Sequence, residues 1–289
     1  MSATWGKRLS HHLSSLLAVL MLGCATYSMA AAPTYSFAVL PQRSPMLTAR
    51  YWNPLLEYVS RKSGVTLQLV TERTPERMDG QIAKSQYDFI YTNHHFQPAL
   101  LHSGYHVILR PDGEVIRSVI VTLAESSVHS LEDLNGKPMG FPAPSSFVGY
   151  WVPLDYLRHQ RLTITPVFGG NQEGIMGQLK TGRVQAIAAN DGVMREFAKR
   201  EAIKYRVLWS SAAFLDIPIS AHGRLPADII RKVSAAFVSM QHDPAGKKLL
   251  ADSARLVGDT STNGFVTADD AAYQNQVAIY RHTMSHSGN

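Results

Sequence analysis

Several short polar clusters in this chain combine residue types that hold or move charge. Tyr91-Thr92-Asn93 sets a phenol, a hydroxyl and a carboxamide side by side, Ser145-Ser146 precedes an apolar helical pattern, and Asn190-Asp191 follows an apolar run. Hydroxyls at a helix start, together with the free N–H groups of the first turn, hold anions; the plain alternative is an N-cap with no ligand. Tyr91 ends a buried strand with a hydroxyl that needs a partner. Arg43 offers a planar guanidinium that matches two oxygens at once, or is simply a solvated loop charge. Asp191 reads either as the partner of a ligand amine or as a cap for the helix after it. His94, His95, His102 and His106 lie close together. Their spacing matches no strong zinc pattern and no acidic partner is evident in the second half. They read as structural or surface residues, and no metal is expected.

Signatures of catalysis are missing. The chain has no G-x-S-x-G elbow, no P-loop, no G-x-G-x-x-G after a strand and no H-E-x-x-H, so neither an enzyme nor a cofactor is expected. A hydrolase with His94 or His95 and Asp191 as acid and base across a cleft, and a metal carrier built on the histidines, are the minority readings. The formal charge of +6 is spread without runs, which gives nucleic-acid binding little support and agrees weakly with a small anionic ligand. Cys24 is the one cysteine, so no disulfide or thiolate chemistry is expected in a mature chain.

The N-terminus has the order of a secretory signal: Lys7 and Arg8, an apolar stretch from Leu13 to Gly23, then small residues. Ser28-Met29-Ala30 fits cleavage after Ala30, giving a signal peptide over residues 1–30 and a periplasmic protein. Met21-Leu22-Gly23-Cys24 is an imperfect lipobox, which makes a lipid anchor at Cys24 the lesser alternative.

From residue 34 to about 210, strand-like and helix-like patterns alternate, as expected of parallel sheets covered by helices. Strands are expected over residues 35–40, 65–70, 87–91, 138–141, 163–168 and 184–189. Helices are expected over 48–61, 74–85, 148–159 and 173–179, with another containing Phe96 to Leu101 and a short capped one at Ser130 to Lys137. After Ile217-Pro218-Ile219 only helices follow, over 226–240, 244–252 and 268–284, and the last fifteen or so residues look frayed. Extended stretches near 119–124 and 211–219 divide the chain into one lobe of residues 34–120 plus 220–285 and a second of 121–219. Each is a mostly parallel sheet flanked by helices, and two strands join them as a hinge. Ligands of open α/β sheets sit outside the carboxyl ends of the strands, where the polar clusters fall.

Read in order, these elements resemble the phosphate, phosphite and phosphonate binding proteins of bacterial ABC importers, the PhnD-like family. The carriers are Tyr51 to Tyr58, Tyr87-Asp88-Phe89-Ile90-Tyr91, Ser130 to Lys137, Ser146 to Pro153, Gly169 to Glu173 and Ala213 to Pro218. The resemblance implies a type II periplasmic binding fold with the ligand's oxygens held at the helix start after residue 144. It implies an ABC permease as partner, with a membrane sensor kinase as the alternative, and a monomer. Tyr91 stands where the family has a ligand-contacting tyrosine, and Ser146 where it has the first hydroxyl of a Ser-Thr-Ser run. Phe147 and Val148 replace the next two hydroxyls, Asn171 stands for a histidine, and Gln185 stands for an acidic residue. Those departures imply a ligand that differs from a typical alkylphosphonate, and Phe147 suits an apolar part or a smaller pocket. The residues expected to bind are Arg43, Tyr91, Thr92, Asn93, Ser145, Ser146, Phe147, Asn171, Asn190 and Asp191.

Overall fold

The computed structural model describes residues 33–113, 115–258 and 264–285; the expected signal peptide and Cys24 lie outside them. Strand β1 (Thr34–Val39) points Phe37 and Val39 to one face and Ala38 to the other, the alternation of any strand. Helix α1 (Pro45–Ser63) covers the first face with Trp52, Leu55, Leu56 and Val59. Ser44 Oγ caps it by accepting from Leu47 N–H, and Gly64 ends it at φ 70°. Because α1 begins earlier than expected, Pro54 lies mid-helix, where its ring forgoes one backbone hydrogen bond. Strand β2 (Thr66–Thr71), helix α2 (Pro75–Ala83) and strand β3 (Phe89–Tyr91) follow.

The expected helix through Leu101 is only a 3-10 turn, His94–Phe96. Gln97 is extended at ψ 140° ahead of Pro98, as the proline ring requires of the residue before it. Strand β4 (Tyr105–Pro111) had no counterpart among the sequence expectations, although its burial alternates cleanly.

Two mixed sheets result. Strands β12 (Ile219–His222) and β13 (Phe265–Thr267) complete the first, ordered β13-β4-β12-β3-β1-β2. The second is β10-β6-β9-β7-β8, from β6 (Ser118–Leu123), β7 (Lys137–Phe141), β8 (Ile164–Phe168), β9 (Ala186–Asn190) and β10 (Tyr205–Ser210). Only β1, β2 and β3, and β7, β8 and β9, pair in parallel; β12 runs antiparallel to both β3 and β4, and β6 to both β9 and β10. The strands that carry the chain between the sheets supply the antiparallel pairings. The crossing itself is β5 (Val115–Ile116) paired with β11 (Phe214–Leu215). The first crossing thus comes earlier than the stretch near 119–124, which is already β6 at the centre of the second sheet.

The remaining helices are α3 (Val152–His159), α4 (Gln172–Lys180), α5 (Asp191–Glu201), α6 (Ala227–Ser239), α7 (Pro244–Val257) and α8 (Gln274–Ser285). A π-helical turn, Phe147–Trp151, runs directly into α3. Of the C-terminal residues expected to fray, those through Ser285 are helical, and residues 286–289 lie outside the described ones. Tyr273, Val277 and Tyr280 form a buried helical stripe packed on Phe96, on Phe147 and Trp151, and on Phe214. That stripe joins the first sheet's loops, the second sheet's loops and the crossing strand. No helix among the described residues is long and apolar enough to cross a membrane.

Candidate functional site

A small, tight cavity lies between the loops of the two sheets. Leu40, Pro41, Gln42, Pro75, Asn93 and His94 line it from the first lobe, Pro142, Ser146, Phe147, Val148, Asn171, Gln172 and Asn190 from the second, and Ile116 and Ile217 from the crossing. Its walls are largely helix starts. Pro75 opens α2, Ser146 is the N-cap of the π turn that becomes α3, and Asn171 and Asn190 cap α4 and α5. All four present the positive pole of the helix dipole, but Pro75 has no N–H and the first-turn N–H groups of α5 are taken by Arg117 O and Asn190 Oδ1, so the free N–H donors lie mainly at the Ser146 start.

At Ser146 the geometry is specific. Its carbonyl accepts from Tyr150 N–H at 3.0 Å and Trp151 N–H at 3.1 Å, so the N–H groups of Phe147, Val148 and Gly149 have no helical partner. A Cβ on Gly149 would run into Ser146 Oγ and lie 2.6 Å from Pro142 Cγ. Glycine there keeps the hydroxyl in place.

The carboxamides divide by role. Asn171 Oδ1 accepts from Gly174 N–H at 2.7 Å, and Asn190 Oδ1 from Gly192 N–H at 2.9 Å and Val193 N–H at 3.3 Å. With oxygens committed to caps, both leave their NH2 groups as donors. Asn93 is the reverse. Gln276 Nε2 donates to Leu215 O at 2.7 Å, so Gln276 Oε1 accepts from Asn93 Nδ2 at 3.0 Å and Asn93 keeps Oδ1 as its open acceptor.

Other expected residues sit elsewhere. Thr92 is fully buried and its Oγ1 accepts from His94 N–H at 3.1 Å. The Ser145 hydroxyl is buried without a partner and lines neither cavity, while the Ser145 carbonyl accepts from Tyr280 OH. Asp191 accepts from Arg117 N–H at 3.2 Å and pairs with Arg195 at 2.6 Å, outside either cavity. Gln185 also faces neither; its carbonyl accepts from Thr122 Oγ1 at 2.6 Å.

Tyr91 and Arg43 line a second, larger cavity that shares Gln42, Ile116, Asn190 and Ile217 with the first. Tyr91 packs on Trp52 at 4.7 Å between ring centres. Arg43 pairs with Glu196 of α5. Burial works against the guanidinium's charge, but Glu196 beside it holds its pKa above the ordinary value. Nearby, Glu173 N–H donates to Gln42 O at 3.2 Å and Glu173 Oε2 accepts from Ser44 N–H at 2.9 Å. The two lobes are therefore shut against each other along this edge, and Arg43 belongs to the latch.

The histidines also differ from expectation. His94 Nδ1 meets Asp79 Oδ1 of α2 at 2.9 Å and the ring lines the smaller cavity; the acidic partner lies fifteen residues earlier in the chain, not in the second half. His95 is sealed in the core with Nε2 3.2 Å from Ser220 Oγ, and burial depresses its pKa to about 3. His106 pairs with Asp270 on the surface. Among the described residues no group of three or more His, Cys, Asp or Glu side chains is arranged to hold a metal ion. Sequence reasoning missed His94, Gln42 and Gln172 as lining residues and Glu173 and Glu196 as latch residues. The position of His94 directly after Asn93, behind a buried strand, was the signal available.

Solved structures share this arrangement. The PhnD1 protein of Prochlorococcus marinus in complex with methylphosphonate superposes with a TM-score of 0.72 at 14% identity, over 86% of this chain and 97% of that one. A binding protein component of an ABC phosphonate transporter from Pseudomonas aeruginosa gives 0.74 at 18% identity, over 89% and 90%. A Xanthomonas citri protein bound to chloride ion gives 0.66 at 15%, over 88% and 99%. A search of curated protein sequences finds no match. At these identities the likeness establishes the two-lobed type II periplasmic binding fold. Residues 37–273 match the family described as ABC transporter, phosphonate, periplasmic substrate-binding protein, and this chain belongs to that family.

Proposed function

We propose that the smaller cavity holds a phosphonate-class oxyanion, which the protein captures in the periplasm and delivers unchanged to an ABC permease. The observation that carries this reading is the convergence of four helix starts on a cavity lined by no carboxylate. Anions are stabilised by such ends through N–H donors and the helix dipole together. In this reading Ser146 Oγ and the N–H groups of Phe147, Val148 and Gly149 hold the ligand's oxygens. The NH2 groups of Asn171 and Asn190 donate from the side. Phe147 and Val148, where the family carries hydroxyls, face a short organic substituent.

The lobe division falls at the β5/β11 pair, with the first lobe built from 34–114 and the segment after 218, and the second from 118–210. The protein acts as a monomer, exported by the N-terminal segment and cleaved after Ala30. Arg43, Tyr91 and Asp191 serve closure and support, not oxygen binding. Isothermal titration of the purified protein with methylphosphonate, 2-aminoethylphosphonate, phosphite, phosphate and a sulfonate tests the reading. Binding of a phosphorus oxyanion that weakens in Ser146→Ala is the expected result. The absence of heat with all of them would end the oxyanion reading.

A further inference from the structure

His94 is the only ionisable side chain among the residues lining the smaller cavity, and it is almost fully buried. Its ring makes one hydrogen bond among the described residues, Nδ1 to Asp79 Oδ1 at 2.9 Å. Asp79 is itself held by Gln97 Nε2 at 3.3 Å. A carboxylate can only accept, so Nδ1 carries the hydrogen, and a neutral imidazole then presents a lone pair at Nε2. The other titratable groups around this pair are His95, kept neutral by burial, and the Tyr280 phenol of α8, kept protonated by burial and by the Asp79 charge.

The cavity therefore has two unlike walls. The second lobe offers donors, from the Ser146 helix start and the Asn171 and Asn190 amides. The first lobe offers Asn93 Oδ1 and, in the neutral ring, His94 Nε2 as acceptors. An oxyanion whose oxygens all bear lone pairs fits the donor wall and is repelled by the acceptor wall, because mismatched lone pairs are a means of rejection. One that keeps a hydrogen on a single oxygen fits both.

We propose that His94, positioned by Asp79, is a ligand-binding residue whose Nε2 accepts the hydrogen of the ligand's P–OH group, so that the site selects a monoprotonated phosphorus oxyanion over a sulfonate. This rests on the oxyanion reading above and adds to it the residue that sets specificity.

Calorimetry at pH 6.5 with methylphosphonate and methanesulfonate tests it. The wild-type protein is expected to bind methylphosphonate roughly ten- to a hundredfold more tightly, the value of a hydrogen bond to a charged group. His94→Ala is expected to collapse that preference by weakening methylphosphonate without weakening methanesulfonate, whereas Ser146→Ala weakens both. His94→Gln serves if the alanine variant does not fold. A readout without any variant is the 15N resonance of His94: Nδ1 protonated and Nε2 bare in the free protein, with Nε2 shifting on addition of methylphosphonate. Asp79→Ala should mix the two tautomers in the same spectrum. If wild type binds methylphosphonate and methanesulfonate equally, or if His94 Nε2 does not respond, the inference on His94 is overturned while the oxyanion reading stands. If wild type binds no phosphorus oxyanion, the underlying reading fails instead.

Discussion

The two cavities share four lining residues and treat charge in opposite ways. The smaller is lined by helix starts, amides and a single imidazole, with no carboxylate. The larger holds Arg43, Arg195, Lys199, Glu196 and Asp216, and the Arg43 charge is met by Glu196 within the protein. The smaller cavity sets helix-start dipoles against no carboxylate; at the larger one the full charge of Arg43 meets that of Glu196. The same division separates two neighbouring histidines. His94 reaches the cavity on an Asp79 support, while His95 is sealed against Ser220.

The largest expected effect comes from acid, which acts on the sealed histidine. His95 titrates near 6.5 when exposed and is held at about 3 by burial. Between those values the unfolded chain binds a proton that the folded chain refuses. Stability is therefore full above about pH 6.5 and falls as pH drops, by about 2 to 3 kcal/mol at pH 4.5. Urea unfolding at pH 7 and pH 4.5 should record that loss in the wild type and a smaller one in His95→Gln; equal losses would remove the contrast with His94. Next in size, Gly149→Leu should abolish detectable binding of methylphosphonate, because a side chain there displaces Ser146 Oγ and meets Pro142. Retained binding would mean that the anion sits elsewhere. Ser146→Ala should weaken binding roughly tenfold or more. The smallest effect belongs to the latch. Glu196→Gln should weaken apparent affinity only a few fold by lowering the closed fraction, and small-angle scattering should detect a more open average shape.

Much of the scaffold was legible because local patterns dictate it. Tyr35 to Leu40, the α1 residues Leu55, Leu56, Tyr58 and Val59, and the helix start behind Ser146 are readable from residue type and spacing. What escaped depends on long-range pairing. Strand β4 was overlooked because His106 and Arg110 interrupt its apolar run. A helix was expected over 268–284, but the burial of Tyr273, Val277 and Tyr280 escaped because they are embedded in polar residues and find their partners in both lobes. The site was legible in part for the same reason. Ser146, Phe147, Asn93, Asn171 and Asn190 line the smaller cavity, since strand ends and helix caps place them. Arg43 resembles an anion-binding arginine until Glu196 of α5 is brought beside it. His94 resembles a surface histidine until α2 delivers Asp79. No sequence spacing records either meeting.

A structure of the purified protein soaked or grown with methylphosphonate tests the central claim most directly. The account predicts phosphonate oxygens in the smaller cavity, within hydrogen-bonding distance of Ser146 Oγ and the Phe147, Val148 and Gly149 N–H groups, with one oxygen on His94 Nε2. Phosphonate bound instead beside Arg43 and Trp52 in the larger cavity would contradict it.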